Sequence, residues 1–391
     1  MTDPMTDRST DPHHQGAPVA NGPITYASAG VDTEAGDKAV ELMKEAVRAT
    51  HGPQVLGGVG GFAGLYDATA LTRFRRPLLA TSTDGVGTKV AIAQALDIHH
   101  TIGFDLVGMV IDDIVVVGAE PLFMTDYIAT GRVVPERIAD IVRGIAAACQ
   151  VAGAALVGGE TAEHPGLLEP DEYDVAGAAT GVVEADELLG PERVRAGDVL
   201  VALGSSGLHS NGYSLVRAVV GQAGWALDRH VAEFGRSLGE ELLEPTRVYA
   251  ADCLALSRRA GVAGLHAFSH VTGGGLAANV ARILPAGLVA DVDRGGWTLP
   301  PVFSVVQSLG QVPWTDLEGT LNLGVGMVAV VAADAVDGVL AHAAELGLPA
   351  WELGVVRDAD LERDVPGAPG FVAGTKGVHG GAVQLTGSYR V

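Results

Sequence analysis

Apolar positions in this chain recur with two periods that alternate from one end to the other. Val40, Met43, Ala46 and Val47 lie three and four apart, after the capping pair Asp32–Thr33 and before Gly52-Pro53, which predicts an amphipathic helix. The run from Leu78 to Ser82 predicts a strand, and a helix follows through Val90, Ile92, Ala93 and Leu96. Residues 101–117 are nearly all apolar, which predicts a helix buried on several sides, interrupted only by Asp105, Asp112 and Asp113. A strand over 122–130 carries Asp126. A strongly periodic helix opens at Pro135, runs through Ile138, Ile141, Val142, Ile145 and Cys149, and closes at Gly153. Short strands are predicted over 155–157 and 174–184. The second half repeats the mixture: strands at 199–203, 266–271, 328–332 and 382–385, and helices at 213–219, 247–259, 276–284 and 334–346. The pattern predicts a mixed α/β (α+β) protein in two domains without internal repeats, divided at the charged turn Pro191 to Gly197. The expected organisation is a disordered tail over 1–23, a first domain over 24–190, and a second over 191–391 in which 357–381 is a loose glycine-rich segment.

Composition agrees with that picture and narrows it. At 391 residues the chain exceeds the size at which one core keeps growing, and 48% hydrophobic residues suffice for two. A net charge of −22 leaves no basic face for DNA or RNA, although a small anionic ligand needs only a local cluster of donors. The polar opening of Met1 to Pro23 has no apolar segment of the leader type, and the longest apolar run, 323–333, is about half a membrane span. The expectation is a cytoplasmic protein without membrane or nucleic-acid partners. Cys149 and Cys253 fall in separate predicted helices and suggest neither a disulfide nor a metal pair. His13 and His14, adjacent in the polar tail, read as bystanders.

Four glycine-rich stretches carry the candidate chemistry. Ser82 to Lys89 places a carboxylate, two glycines, hydroxyls and an ammonium in one turn between a strand and a helix. Asp84 there is suited to hold a divalent cation against a polyphosphate, with Lys89 reaching the same phosphates. Gly57 to Gly64 reads either as a loop whose amides approach phosphate or as a plain connection, and no dinucleotide-binding context surrounds it. Gly158 to Glu163 repeats the design of a carboxylate behind glycines at a strand end. Gly204 to Gly212 offers hydroxyls and amides at a helix start, with His209 as a proton carrier or a structural residue. No Walker sequence occurs, so any nucleotide is held by another device. Lys44, mid-helix, reads by itself as a solvated surface lysine.

Together the segments 26–36 (YASAGVDTEAG), 57–62 (GGVGGF), 83–89 (TDGVGTK), 118–123 (GAEPLF), 156–163 (LVGGETAE), 174–183, 204–217 (GSSGLHSNGYSLVR), 243–247, 272–275 and 322–327 resemble the phosphoribosylformylglycinamidine cyclo-ligase family of purine biosynthesis, in family order from about residue 24 to 356. The resemblance implies an ATP-using fold unrelated to the P-loop. Its N-terminal ATP-binding sheet pairs with a twin in a homodimer barrel, and its C-terminal α/β domain closes the cleft. It implies ATP- and Mg²⁺-dependent ring closure of formylglycinamidine ribonucleotide to aminoimidazole ribonucleotide, with the formyl oxygen phosphorylated on the way. The residues it points to are Asp84 and Asp113 as metal ligands, Lys89 on the phosphates, and His209 beside substrate. Lys44, Gly60, Gly61, Phe62, Gly85, Gly87 and Thr88 are implied for ATP, and Glu160, Thr161, Ser210, Asn211 and Gly212 for the nucleotide substrate.

Three positions depart from the family's usual pattern. Asp112 precedes Asp113 where Asn is usual, Val117 stands where Gln is common, and Leu208 replaces a proline before His209. The rival readings are a thiamine-monophosphate kinase-like or selenophosphate synthetase-like enzyme of the same superfamily, or a non-catalytic nucleotide-binding dimer. No cysteine precedes Cys149, which counts against the second of these. Retention of Asp84, Lys89, Glu160 and His209 in intact motifs counts against the third.

Overall fold

A computed structural model describes residues 30, 32–58, 60–360, 362–377 and 380–390. The tail expected over 1–23, with His13 and His14, lies outside the described residues, as does Val59 of the glycine loop.

Asp32 opens α1 (Thr33–Ala49) by accepting the Ala35 amide on its carboxylate. Then follow β1 (Pro77–Gly85), α2 (Val90–Leu96), α3 (Ile102–Val115), β2 (Glu120–Thr130), α4 (Pro135–Ala152), β3 (Ala155–Glu163) and β4 (Tyr173–Glu184). These strands form one sheet in the order β1-β4-β2-β3, with β2 and β3 parallel and the other pairs antiparallel. Helices α3 and α4 cover one face of it. They cross with their backbones in contact: a Cβ on Gly103 would stand 2.0 Å from Gly144 of α4, so neither glycine leaves room for a side chain. Among the described residues the opposite face of the sheet is largely bare, with Leu79 65% and Tyr127 41% exposed, although Val182 beside Leu79 is buried and Tyr66 packs on Phe123.

The second sheet has seven strands: β5 (Val199–Gly204), β6 (Leu265–His270), β7 (Leu288–Asp293), β8 (Val325–Val331), β9 (Ala350–Asp358), β10 (Phe371–Ala373) and β11 (Ala382–Thr386). Their order is β6-β8-β5-β9-β7-β11-β10, antiparallel except for the β7–β11 pair. Strands β5 and β8 are buried along their whole length, which is why they read as continuous apolar runs. The helices around this sheet are α5 (Tyr213–Ala223), α6 (Ala250–Gly264), α7 (Gly275–Ala281), α8 (Pro301–Gly310), α9 (Trp314–Glu318) and α10 (Val336–Glu345). Buried apolar residues of both sheets join in one contiguous cluster. Among the described residues no helix is long and apolar enough to cross a membrane.

Strand ends differ most from the sequence expectation. The strand expected to stop at Ser82 continues to Gly85, so Asp84 is a strand residue paired with Gly177. The strand expected to stop at Val157 continues to Glu163, so Gly158 to Glu163 is a ladder with β2 and not a loop. Cross-strand pairing outweighs the poor strand propensity of glycine in both cases. Strands β7 and β9 and helices α8 and α9 have no counterpart in the sequence reading. The segment 357–381, expected to be loose, supplies β10, and Arg357 at its start is held by Asp291 and Asp364.

Candidate active site between the two sheets

Asp84 stands opposite Gly177 of β4, which in turn stands opposite Asp126 of β2. Directly opposed residues share a face, so this row carries two carboxylates on the α3 side, separated by a residue without a side chain. The Asp84 carboxylate accepts the Gly85 amide at 2.7 Å. Burial raises its pKa, the Gly85 hydrogen bond opposes that rise, and the charge of Asp113 adds to it.

Asp113 projects from α3, 41% exposed, and accepts a hydrogen bond from His270 Nδ1 at 2.9 Å. His270 ends β6. Burial alone would lower its pKa, but the Asp113 hydrogen bond and the charges of Asp112, Asp113 and Asp84 carry it above the ordinary imidazole value. Asp112 is fully buried and accepts the Tyr249 amide at 3.0 Å; burial pushes its carboxyl up to about 7. His270 is the residue that reading the sequence missed. Its signal was its position at a strand end before the glycines of Thr272 to Gly275, the same placement that singled out Asp84.

Between the sheets opens a cavity of about 440 Å³. Asp84, Gly85, Val86, Gly87, Thr88, Met109 and Asp174 form one wall, and Ser210, Asn211, Gly212, Tyr213 and Ser214 the other. The structure therefore brings together six of the positions expected from sequence besides Asp84: Gly85, Gly87, Thr88, Ser210, Asn211 and Gly212. Thr88 Oγ1 and Ser214 Oγ are 3.2 Å apart across the opening, and Asn211 Nδ2 is 3.3 Å from Met109 Sδ. Gly212, at φ 79°, turns the chain into α5, whose N terminus has no side-chain cap and faces this cavity.

Lys89 does not reach the cavity. Its side chain is 0% exposed, and Nζ donates to Asp105 Oδ1 at 2.7 Å, to the His209 carbonyl at 3.1 Å and to the Glu244 carbonyl at 2.6 Å. Asp105 Oδ1 also accepts the amide and hydroxyl of Thr246 at 3.0 and 2.7 Å. An ammonium with three acceptors has no donor left for phosphate. Lys89 is thus a buried tie between α2, α3 and the second domain, which corrects its expected role. Burial lowers its pKa against the pull of Asp105.

His209 also differs from expectation. The residue is 1% exposed and adopts φ 60°, unusual for a side chain with a Cβ. Its ring lies against Gly326 and Tyr249, with 6.0 Å between the His209 and Tyr249 ring centroids. Nε2 accepts the Ser206 amide at 3.2 Å. Burial holds its pKa well below the ordinary value, so the ring is neutral at physiological pH and is not a free proton carrier. Its Nδ1, with His270 Nε2, Arg247 Nε and Asp105 Oδ2, is buried without a hydrogen-bond partner. Groups of this kind are completed by water or a ligand.

The remaining expected residues form a second group on the far edge of the first sheet. Glu160 is in register with Tyr127 on the bare face, away from Asp84, and β3 is the edge strand opposite β1. Thr161 follows on the other face, in register with buried Ile128. Gly64 packs on Val157 of β3 and so anchors the loop of Gly60, Gly61 and Phe62 beside that edge, with Phe62 wholly exposed. Lys44 pairs with Glu41 at 3.3 Å on α1, a helix packed on α4. Within one chain these residues do not meet the Asp84 cavity.

Among the described residues no group of three or more His, Cys, Asp or Glu side chains is arranged to hold a metal ion. Asp84 and Asp113 still fit Mg²⁺. That ion takes one or two carboxylates and completes its shell with phosphate oxygens and water, and a cation here would offset the burial and, to a lesser degree, the Asp113 charge that raise Asp84.

Comparison with known proteins agrees with this architecture. Residues 66–183 match the N-terminal domain of the family described as AIR synthase related protein, and 195–365 match its C-terminal domain. The chain is 49% identical over 336 residues to a phosphoribosylformylglycinamidine cyclo-ligase of Geobacillus sp. (strain WCH70), covering 86% of this chain and 96% of that one. Among solved structures it resembles thiamine-monophosphate kinase from Stenotrophomonas maltophilia K279a, with a TM-score of 0.62 at 21% identity over 82% of this chain and 94% of that one. It also resembles the hydrogenase maturation protein HypE in complex with ATP, with a TM-score of 0.54 at 17% identity over 84% of this chain and 88% of that one. These two likenesses show the fold.

Proposed function

We propose how this cleft works from the premise that the chain belongs to the phosphoribosylformylglycinamidine cyclo-ligase family. The protein is a ligase of purine biosynthesis that closes formylglycinamidine ribonucleotide to 5-aminoimidazole ribonucleotide, and its substrate is a small nucleotide. The kinase-like, selenophosphate synthetase-like and non-catalytic readings fall with that assignment.

The cyclo-ligase family supports ATP as the co-substrate, and the ATP complex of a protein with this fold agrees with it. A formamide carbonyl is a weak electrophile and its oxygen a poor leaving group. In the proposed route the γ-phosphoryl of ATP passes to the formyl oxygen, giving an iminophosphate and ADP. The ribosylated amidine nitrogen then attacks the formyl carbon, the C–O bond breaks, and inorganic phosphate leaves with the former formyl oxygen. Loss of a methylene proton and protonation of the exocyclic imine give the aromatic amine.

Such a transfer asks mainly for alignment and stabilisation of charge. Asp84 and Asp113 would hold Mg²⁺, which when bound would neutralise developing phosphate charge. His270 fixes the Asp113 carboxylate through Nδ1. Gly87 and Thr88 offer backbone and hydroxyl donors from one wall, where Gly85 spends its amide on the Asp84 carboxylate, and Ser210, Asn211, Gly212 and the α5 N terminus face them from the other. Lys89 and His209 hold the two walls in register. The observation that carries this reading is the cavity between Asp84 to Thr88 and Ser210 to Ser214.

Lys44, Gly60, Gly61, Phe62, Glu160 and Thr161 enter through a homodimer. Pairing of the bare sheet faces, on which Leu79, Tyr127 and Glu160 lie, would carry the far-edge group of one chain to the Asp84 cavity of its twin. In this reading 24–190 is the ATP-binding and dimerisation domain, 191–391 the closing domain, and the enzyme works in the cytoplasm.

The test is incubation with formylglycinamidine ribonucleotide, ATP and Mg²⁺. ADP, phosphate and aminoimidazole ribonucleotide should form together, and absence of all three overturns the reading. With ¹⁸O in the formyl oxygen, the label should emerge in phosphate; its appearance elsewhere excludes the iminophosphate route.

A further inference from the structure

The C-terminal segment lies beyond residue 365, where the family match ends, and it is built into the second domain by a specific set of contacts. Strand β11 adds to β7, and Gly387 then turns the chain at φ 67° directly over Asp293. A Cβ there would stand 2.2 Å from Asp293 Oδ1, so the turn requires glycine. Two residues on, Tyr389 enters a cage of Trp297, Trp314 and Arg294. Its ring centroid is 5.6 Å from Trp297 edge-on and 5.0 Å from Trp314, with the Arg294 guanidinium 5.9 Å away. The Tyr389 hydroxyl donates to Glu318 Oε1 at 2.9 Å, and Arg294 grips both oxygens of the same carboxylate. The Arg390 carbonyl accepts the Leu299 amide at 2.9 Å.

What this cage holds is the segment 318–324, and that segment holds the wall of the cavity. Trp297 Nε1 donates to the Leu323 carbonyl at 2.9 Å, at a residue that itself sits at φ 51°. Asn322 Nδ2 donates to the Gly207 carbonyl at 2.9 Å, and its Oδ1 accepts from Ser205 Oγ at 3.2 Å and from the Gly324 amide at 2.9 Å. The Ser205 amide donates to the Gly324 carbonyl at 3.0 Å. Leu321 and Thr320 fill the space over Gly212, and the Glu318 carbonyl fills the space over Gly275. An unbroken chain of contacts therefore runs from Tyr389 through Trp297, Leu323 and Asn322 to the 205–212 loop.

We propose that Tyr389 and its C-terminal segment are a positioning element for the 205–212 loop, setting the substrate wall of the cavity from the far side of 318–324. The inference rests on the assignment of that loop to the formylglycinamidine ribonucleotide substrate. It gives the C-terminal segment a role in substrate affinity that the ATP side of the cavity, built on Asp84 to Thr88, does not share.

The test compares the full chain with a variant ending at Thr386 and with Tyr389→Phe, which removes only the hydroxyl bond to Glu318. Amide hydrogen exchange should rise about tenfold in peptides covering 205–212 and 320–324 of the shortened chain, and less in Tyr389→Phe, while peptides of α3 and α4 stay unchanged. The KM for formylglycinamidine ribonucleotide should rise about five- to tenfold with the KM for ATP unaltered. Unchanged exchange over 205–212 despite a lower melting temperature would reduce the segment to a merely structural role, as would equal shifts in both KM values. Should the shortened chain fail to fold, Tyr389→Phe decides alone by the same two readouts. Exchange needs no turnover, so an inactive full-length protein would overturn the proposed function while leaving the positioning role to be judged by exchange.

Discussion

Lys89 and His209 exchange their expected roles for a shared one, since the carbonyl of one receives the ammonium of the other inside the protein. Removing one member of a buried ion pair leaves the other charge uncompensated, at a cost of about 3–5 kcal/mol. Lys89→Met should therefore lose that much stability in denaturant titration, and adding Asp105→Leu should restore most of it; a phosphate-binding lysine would instead leave stability intact and raise the KM for ATP. Asp84→Asn should abolish turnover with an unchanged melting temperature, and retained activity would remove Asp84 from the metal site. Asp112 gives a pH signature. Its carboxyl titrates near 7 when folded and near 3.8 when not, so the folded state keeps a proton that the unfolded chain loses between those values. Stability from this group is complete below about pH 4 and declines as pH rises toward 7, by on the order of 4 kcal/mol. Asp112→Asn, the residue usual in the family, should raise the melting temperature of metal-free protein at pH 8 more than at pH 5. An equal effect at both pH values would contradict the assignment.

Helix α3 shows how one element serves both core and site. Its apolar residues bury it against β1, β2 and β4, while Asp105, Asp112 and Asp113 leave the same helix for three different partners: Lys89, the Tyr249 amide and His270. The position of those carboxylates depends on the close crossing with α4. Gly103→Ala would force the backbones apart and should cost about 2–3 kcal/mol, read as a fall in melting temperature with a matching loss of the Asp113–His270 geometry and of activity. A fully stable, active Gly103→Ala protein would show that the crossing tolerates a methyl group. Helices α1 and α4 were legible in sequence because each has an apolar face and a stop signal, and α3 because it is apolar nearly throughout. The extension of β1 and β3 through glycines was not, because only a paired neighbour makes a strand of Thr83-Asp84-Gly85 or Gly158-Gly159-Glu160.

The two residue groups on opposite edges of the first sheet set the question for the whole molecule. If the far-edge group of one chain serves the cavity of its twin, inactive Asp84→Asn and Glu160→Gln proteins should complement each other on mixing. Half of randomly mixed dimers are heterodimers with one intact site each, so roughly a quarter of wild-type activity should return after subunit exchange. No recovery, with exchange verified by mass after one variant is uniformly labelled with ¹⁵N, would place both residues in one chain's site. The amino-acid sequence by itself determined most of the helices and strands, the α/β class, the family and the candidate walls at Asp84 and Ser210–Gly212, since each is written in local periodicity or in the chemistry of a contiguous motif. Only the tertiary structure decided that Lys89 is withdrawn from the phosphates, that His209 is buried and neutral, that His270 holds Asp113, and that Glu160 faces away from Asp84. The physical reason is common to all four. Burial, hydrogen-bond partner and sheet face are set by residues far away in the chain, such as Asp105, Glu244, Tyr249 and Tyr127, and no local pattern records which of them will arrive.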